Sequence, residues 1–380
     1  MGGRQLAIVC PEERLAANEA VQARLAACQR FAVADRPPVV YSLGYRFLRT
    51  ARGAPIGDYF ESPRAQLEQQ LLNHKWVLEH LCDDRLIDTE RVVVSPDLQD
   101  IRGGYFPIGT VWTEDVGPMA APLLETPADV DALEVPEPTA NLYGRRIEWY
   151  HAMREMAGEY EVTLNGRPLA VHPSVSGLGG PFPDAYALAR DRLFYWVHEA
   201  PAAVHQLMEK VTEAFIGYSR YCRTLTGAPM ANLGMGADAA EMLSPAMFRE
   251  FVLPYYQRCY EAFPGTRGLH MCGRIDHLLA LLVEELGITH LNGFGFVTNR
   301  ERLAEVMGGR VVMSGGISPD LLLRGTPDEV KAECRRYLAT FAPVGGFILQ
   351  DGNNVAPGTP LANLEAMVEA ASEWTVISGQ

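Results

Sequence analysis

His270 and Cys272 stand two residues apart in the stretch GLHMCGRIDH, at the end of a short apolar run and just before a glycine. In a β-strand, residues two apart point to the same side. Imidazole nitrogen and thiolate sulfur are donors that zinc takes, at about 2.0–2.3 Å. Two donors make half of such a site, and the plain alternative is a packed histidine beside a buried thiol. His277, in the same stretch, falls one turn into the following helix, where a solvated or capping role fits better than ligation.

Other residues of chemical interest fall at similar places. Asp238 and Glu241 lie in GADAAEML, a loop entering a helix, where capping and helix-dipole roles compete with substrate binding. His172 ends an apolar run and reads first as a packed, hydrogen-bonded core histidine, with substrate binding as the alternative. Asn292 and Ser314 end two further apolar runs, and Asp351, Asn353 and Asn354 crowd into QDGNN after GGFIL. Turn chemistry explains part of that last cluster.

The elements that must position these residues alternate. PLAVHPSVSG, ANLGMGAD, RGLHMCG, THLNGFG, RVVMSGG and GGFILQDG are each followed by a segment of helical periodicity, six strand-then-helix units in about 200 residues. Ser244 and Pro245 open one of those helices as N-cap and first helical residue. Earlier, RPPVVYSLGY and ERVVVSPDL read as strands with SPRAQLEQQLLNHKWVLEHL between them, which makes eight units. This pattern predicts an α/β fold with a parallel sheet, best closed as a (β/α)8 barrel; an open doubly wound sheet is the runner-up. No GxGxxG follows the first strand, against a dinucleotide-binding sheet. Residues 1–36 read as an N-terminal helical extension and 37–380 as one barrel, with 100–165 as a lid or insertion. Functional side chains of a barrel gather at the C-terminal ends of its strands, where every candidate above falls.

Composition narrows the function. The chain has 380 residues, 48% hydrophobic and 21% charged, with a net charge of −14 and no Lys/Arg cluster, so nucleic acid and anionic membranes are poor partners. No apolar run reaches the roughly 18 residues of a membrane span, and the first twenty residues lack a signal-peptide pattern, which predicts a cytoplasmic protein. Seven scattered cysteines without a CxxC pair predict reduced thiols.

The stretches SGLGGPFPDAYAL, LSPAMFREFVLPYYQR, HMCG, LLLRGTPDEV and GGFILQDGNNVAPGTPLANLEAMVEA resemble the uroporphyrinogen decarboxylase superfamily, well over 165–375 and loosely before. The resemblance implies a (β/α)8 barrel and a homodimer. It also implies one of two activities, porphyrinogen decarboxylation or zinc-dependent methyl transfer linked to a corrinoid protein. The decarboxylase branch carries an arginine-rich motif after a PPV strand. Here the arginine expected near Leu43 is missing, Arg46 lies closest, and Asn353 stands where that branch has a histidine. The thiol-activating methyltransferase branch holds zinc with His-x-Cys, matched by His270 and Cys272, and with a distant cysteine whose place is taken by Asn353. An acidic residue of that branch falls at Phe294.

An amide oxygen is a poor zinc ligand beside thiolate. Asp351 is then the expected anionic ligand from the last strand, with Asp238 and Glu241 as further candidates. Oxygen in place of one thiolate leaves a harder, more Lewis-acidic zinc, suited to polarising an ether or hydroxyl oxygen. The expected activity is zinc-assisted demethylation of a small methylated substrate, methoxy-aromatic compounds among them, with transfer to the corrinoid of a partner protein. His270, Asp238 and Asn353 would serve catalysis, and Arg46, His172, Glu241, Asn292 and Asn354 would bind substrate. Two alternatives stay open. One is a metal-free decarboxylase or lyase, with His270 as acid/base and Arg46 on a carboxylate. The other is a non-catalytic ligand-binding barrel.

Overall fold

The computed structural model describes residues 4–55, 58–99, 101–113, 117–177 and 179–374. Residues 1–3 and 375–380, at the two ends of the ranges read above, lie outside them. Its strands are β1 (Arg4–Ile8), β2 (Arg91–Val94), β3 (Thr110–Thr113), β4 (Gly117–Ala120), β5 (Tyr160–Leu164), β6 (Arg167–Pro173), β7 (Leu233–Gly236), β8 (Arg267–His270), β9 (His290–Phe294), β10 (Val312–Ile317) and β11 (Phe347–Asp351).

Strands β7 to β11 form one parallel sheet in chain order. Segment 38–41 joins its far edge in parallel through a bridge between Val39 and Leu349, and β2 pairs in parallel with β6. These eight stretches, with helices between them, make the (β/α)8 barrel. The joins on either side of the β2–β6 pair are thin. Gly236 N–H donates to Gly179 O at 2.9 Å on one side, and Asp84 N–H donates to Val39 O at 2.7 Å on the other.

The first barrel strand is shorter than RPPVVYSLGY suggests, and the reason is local. Pro37 and Pro38 have no N–H to give a ladder, and the N–H groups of Val39 and Tyr41 go to the carboxylates of Asp84 and Asp83 at 2.8 and 2.9 Å. A helix, Tyr45–Ala51, follows at once. The N-terminal segment holds helices Glu12–Ala16 and Asn18–Cys28, but it opens on β1, which pairs in parallel with β5. Within 100–165 lie the β3–β4 hairpin, helix Asn141–Ala157 and β5. β5 turns into β6 through Asn165 and Gly166, both with positive φ (47° and 77°), as a two-residue hairpin of the right twist requires.

Two of the segments of helical periodicity that follow strands are broken. DAYALARDRLFYWVHEA forms Pro181–Ala189 and Arg192–Glu199, parted at Arg190 with φ 53°. SPAMFREFVLPYYQRCYEAF forms Pro245–Phe251 and Leu253–Ala262, because Pro254 cannot continue the hydrogen-bond ladder. Ser244 caps the first of these by accepting from Met247 N–H at 3.3 Å, as its sequence position predicts.

Alternation sets which side chains enter the barrel. Leu233 and Met235 of β7, Leu269 of β8, Leu291 of β9 and Leu349 of β11 are buried in the main core, outside the barrel axis. The intervening residues point inward and are small or polar: Gly234, Gly236, Gly268, His270 and Asn292. Among the described residues no helix is long and apolar enough to cross a membrane.

Candidate functional site

The strand ends and the loops after them enclose a mouth cavity of about 1230 Å³. Its wall includes Arg46, Asp238, Glu241, His270, Cys272 and Asn292, joined by Asn353 and Asn354. Most of the residues singled out in the sequence are therefore brought together.

His270 closes β8 and Cys272 follows it on the same side. Asp238 arrives from the loop after β7, next to Ala239, a non-glycine residue at φ 70°. One carboxylate oxygen, Asp238 Oδ1, lies 3.4 Å from His270 Nε2 and 3.6 Å from Cys272 Sγ. One donor atom from each of the three residues lies within 4.8 Å of the others. The second oxygen, Oδ2, faces Arg102 Nη2 at 3.4 Å. His270 Nδ1 lies 2.8 Å from the carbonyl oxygen of Asn292. A carbonyl only accepts, so Nδ1 carries the proton and Nε2 presents its lone pair to the cluster. Gly293 makes that ring position attainable. It sits at φ 65°, and a Cβ there would come within 2.6 Å of His270 Nδ1.

Electrostatics fit three donors gathered for a cation. Burial, reinforced by the Asp238 carboxylate, pushes the Cys272 thiol up to about 12. Burial, with Asp238 as neighbour, also raises the Glu241 carboxyl above the usual carboxylate range. Glu241 packs against the Gly273 backbone, and its Oε2 is buried with no hydrogen-bond partner. Imidazole nitrogen, thiolate sulfur and carboxylate oxygen form a set that suits zinc, whereas calcium and magnesium select oxygen alone.

The carboxylate that the structure brings beside His270 and Cys272 is that of Asp238, not of Asp351. Asp351 is fully buried, its Oδ1 accepts from Ser42 N–H at 2.8 Å, and it does not line the mouth. Asp238 stands beside His270 and Cys272 in its place. Asn353 does reach the cavity, its Oδ1 accepting from Asn354 Nδ2 at 3.1 Å. Phe294, where the resemblance to the methyltransferase branch leads one to expect an acidic residue, is fully buried in the core. His172 is exposed on β6 and is absent from the mouth wall, contrary to both a packed and a substrate-binding role there. Ser314 lies below the mouth, donating to Asn292 Oδ1 at 2.8 Å. His277 Nε2 lies 3.0 Å from Leu243 O, which fixes the loop bearing Glu241.

Asp97, Arg102 and Arg190 also line the mouth and were not singled out from sequence. Asp97 follows β2, so the strand-end rule applied to VVVSPD points to it. Arg102 lies in QDIRGGYF, which carries no periodicity to place it. Arg190 is fixed by a hydrogen bond to Ala120 O and lies over the Tyr186 ring, 5.9 Å from its centroid.

Comparison with known proteins identifies the family. The sequence profile of the family described as Uroporphyrinogen decarboxylase (URO-D) matches residues 108–374. A uroporphyrinogen decarboxylase of Syntrophotalea carbinolica is 28% identical over 270 residues, 68% of this chain and 73% of the relative. The methylcobamide:CoM methyltransferase MtaA of Methanosarcina barkeri is 29% identical over 205 residues, 53% of this chain and 58% of the relative, so the chain matches just over half of that protein. Among solved structures, a methyltransferase from Methanosarcina mazei superposes with a TM-score of 0.66 at 22% identity, covering 93% of this chain and 98% of that one. That likeness establishes the shared barrel. With the profile spanning most of its length, the chain belongs to the uroporphyrinogen decarboxylase (URO-D) family of enzymes.

Proposed function

We propose that the chain is a methyltransferase that takes a methyl group from a small methylated donor, such as a methyl ether, and passes it to the cobalt of a corrinoid protein. The observation that carries this reading is the convergence of Asp238, His270 and Cys272 at the floor of a cavity large enough for a small organic molecule. The relatives named as methylcobamide:CoM methyltransferases support methyl transfer linked to a corrinoid.

Asp238, His270 and Cys272 would hold zinc. Bound there, zinc supplies Lewis acidity toward an ether or hydroxyl oxygen. The chain does the positioning. Asn292 fixes the His270 tautomer through its carbonyl, and Arg102 holds one oxygen of Asp238 so that the other faces His270 and Cys272. Glu241, Arg46, Asn353 and Asn354 flank the space where substrate would lie. In the reaction the donor's carbon–oxygen bond breaks, the methyl group bonds to reduced cobalt of the partner, and the donor oxygen takes up a proton.

The test combines metal analysis with turnover. Purified protein is expected to carry close to one zinc per chain, lost in Asp238→Ala and His270→Ala. It is also expected to methylate cob(I)alamin from a methoxy-aromatic donor. A zinc content unchanged in both variants would remove the metal from the proposal.

Arginines favour a second reading. Arg46, Arg102 and Arg190 all reach the mouth, and Arg46 makes no ion pair among the described residues, an arrangement suited to a carboxylated substrate and to decarboxylation. Carbon dioxide release that survives chelation would select it.

A further inference from the structure

A second cavity, of about 800 Å³, lies inside the barrel directly beneath the candidate metal cluster. It shares His270 and Asn292 with the mouth cavity, so the two meet at that level. A (β/α)8 barrel is ordinarily filled there by layers of large side chains. The strand register shows why this one is hollow. One layer of aligned inward positions consists of Gly234, Gly268, His290 and Val312. The layer above it consists of Gly236, His270, Asn292 and Ser314. Glycine thus occupies both inward positions of β7 and one of β8. A Cβ built on Gly234 meets nothing within 4 Å.

The walls of this lumen are mainly apolar, with Val40, Leu86 and Ile348 among them. The charged groups that line it, and most of the neutral polar ones, have partners within the protein. Ser314 donates to Asn292 Oδ1 at 2.8 Å, and His290 Nε2 pairs with Gln29 Oε1 at 2.8 Å. Asp84 is held by Arg24 and Arg36, and Arg85 by Asp83. No charge is left to recognise an ionic ligand, and burial of a charged group without a partner is costly. An apolar body gains by leaving water for such a space.

We propose that the lumen receives the neutral, apolar body of the methyl donor, an aromatic ring or short hydrocarbon, while its methylated oxygen sits at the level of His270. The inference rests on the methyl-transfer reading for the identity of the donor, but the apolar site itself does not. Glycine at 234 and 268 then acts as a specificity device: the space that other barrels fill with leucine or valine is reserved here for substrate. Donors whose body is charged are excluded.

The experiment uses toluene, which has the apolar body but no oxygen and no transferable methyl ether. Its binding to the full chain is measured by ligand-detected NMR titration in wild type, Asp238→Ala, Gly234→Leu and Ile348→Phe. Asp238 belongs to the candidate metal cluster but does not line the lumen, so toluene is expected to bind wild type and Asp238→Ala alike. Binding should weaken by about tenfold or more in Gly234→Leu, with zinc content equal to wild type. Ile348→Phe, which enlarges the wall from the β11 side, should weaken it too, and it serves if Gly234→Leu does not fold. Affinity unchanged in the filling variants, or no binding up to the solubility limit, overturns the proposal. Toluene binding blocked by the filling variants, together with no methyl transfer from any ether, leaves the apolar site standing and removes the methyl-transfer reading alone.

Discussion

Replacing Asp351 by asparagine separates a buried structural carboxyl from a metal ligand. The Asp351 side chain is 0% exposed, with Oδ1 held by Ser42 N–H and Oδ2 buried without a partner. Burial is the main cause that pushes its carboxyl up from 3.8 to about 7, partly offset by the backbone N–H donors. A folded-state value above the unfolded one means that the stability contribution is fully present below pH 3.8 and is lost as pH rises through about 7. The rise of about three pH units corresponds to about 4 kcal/mol. Roughly two of those units, about 2.7 kcal/mol, fall between pH 5 and 9. At about 2.1 cal/mol/K per residue, a chain of 380 residues converts that into a Tm difference of about 3 °C. Asparagine cannot ionise, so Asp351→Asn removes this slope. Its two unpartnered amide hydrogens cost about 1–3 kcal/mol at every pH, so the absolute stability is not the readout. The assay is thermal unfolding by circular dichroism of both proteins from pH 5 to 9. The Tm of the variant relative to wild type should climb by about 3 °C with pH, and zinc content should not change. Parallel curves within about 1 °C, or loss of zinc, would refute this account of Asp351.

Further outcomes follow from the cluster itself. Arg102→Gln frees one oxygen of Asp238 and should weaken zinc binding by about 10–100-fold, read by competition with a chromogenic chelator. Gly293→Ala forces alanine to φ 65° and its Cβ against His270; a loss of about 1–3 kcal/mol in unfolding free energy should accompany reduced zinc content. Saturating zinc at about 100 times its dissociation constant should stabilise the wild-type protein by about 2.7 kcal/mol, and Asp238→Ala by much less, as measured by chemical denaturation.

The barrel and its working end were legible because their signals are periodic and local. Each β7-to-β11 strand ends in glycine or a turn before a helical stretch, and the inward phase of β8 alone puts His270 and Cys272 on one side. The carboxylate that joins His270 and Cys272 was not legible in the same way. Asp238 and Asp351 both follow strands and both are acidic. Only the path of the chain shows that one carboxylate reaches His270 while the other is taken by the Ser42 backbone. The hollow interior escaped for a similar reason. Glycine in LGMG and RGLH reads as strand weakening until the register stacks Gly234 on Gly268. Arg102 had no periodic element to place it, and the shortened first strand depended on Asp83 and Asp84 taking N–H groups that a sheet would otherwise use.

The bridge between Val39 and Leu349 has a consequence for how the molecule is made. Its two partners are separated by nearly the whole chain, so during synthesis the cylinder stays open until the last strand has left the ribosome. Until then β10 and the 38–41 segment are unpaired edges with apolar neighbours, the kind of surface that invites wrong partners. The pairing of β1 with β5 imposes a shorter wait of the same sort at the other end. A chain stalled before residue 347 would hold nearly all of its helices and every donor of the candidate metal cluster. It would still be an open sheet in search of an edge.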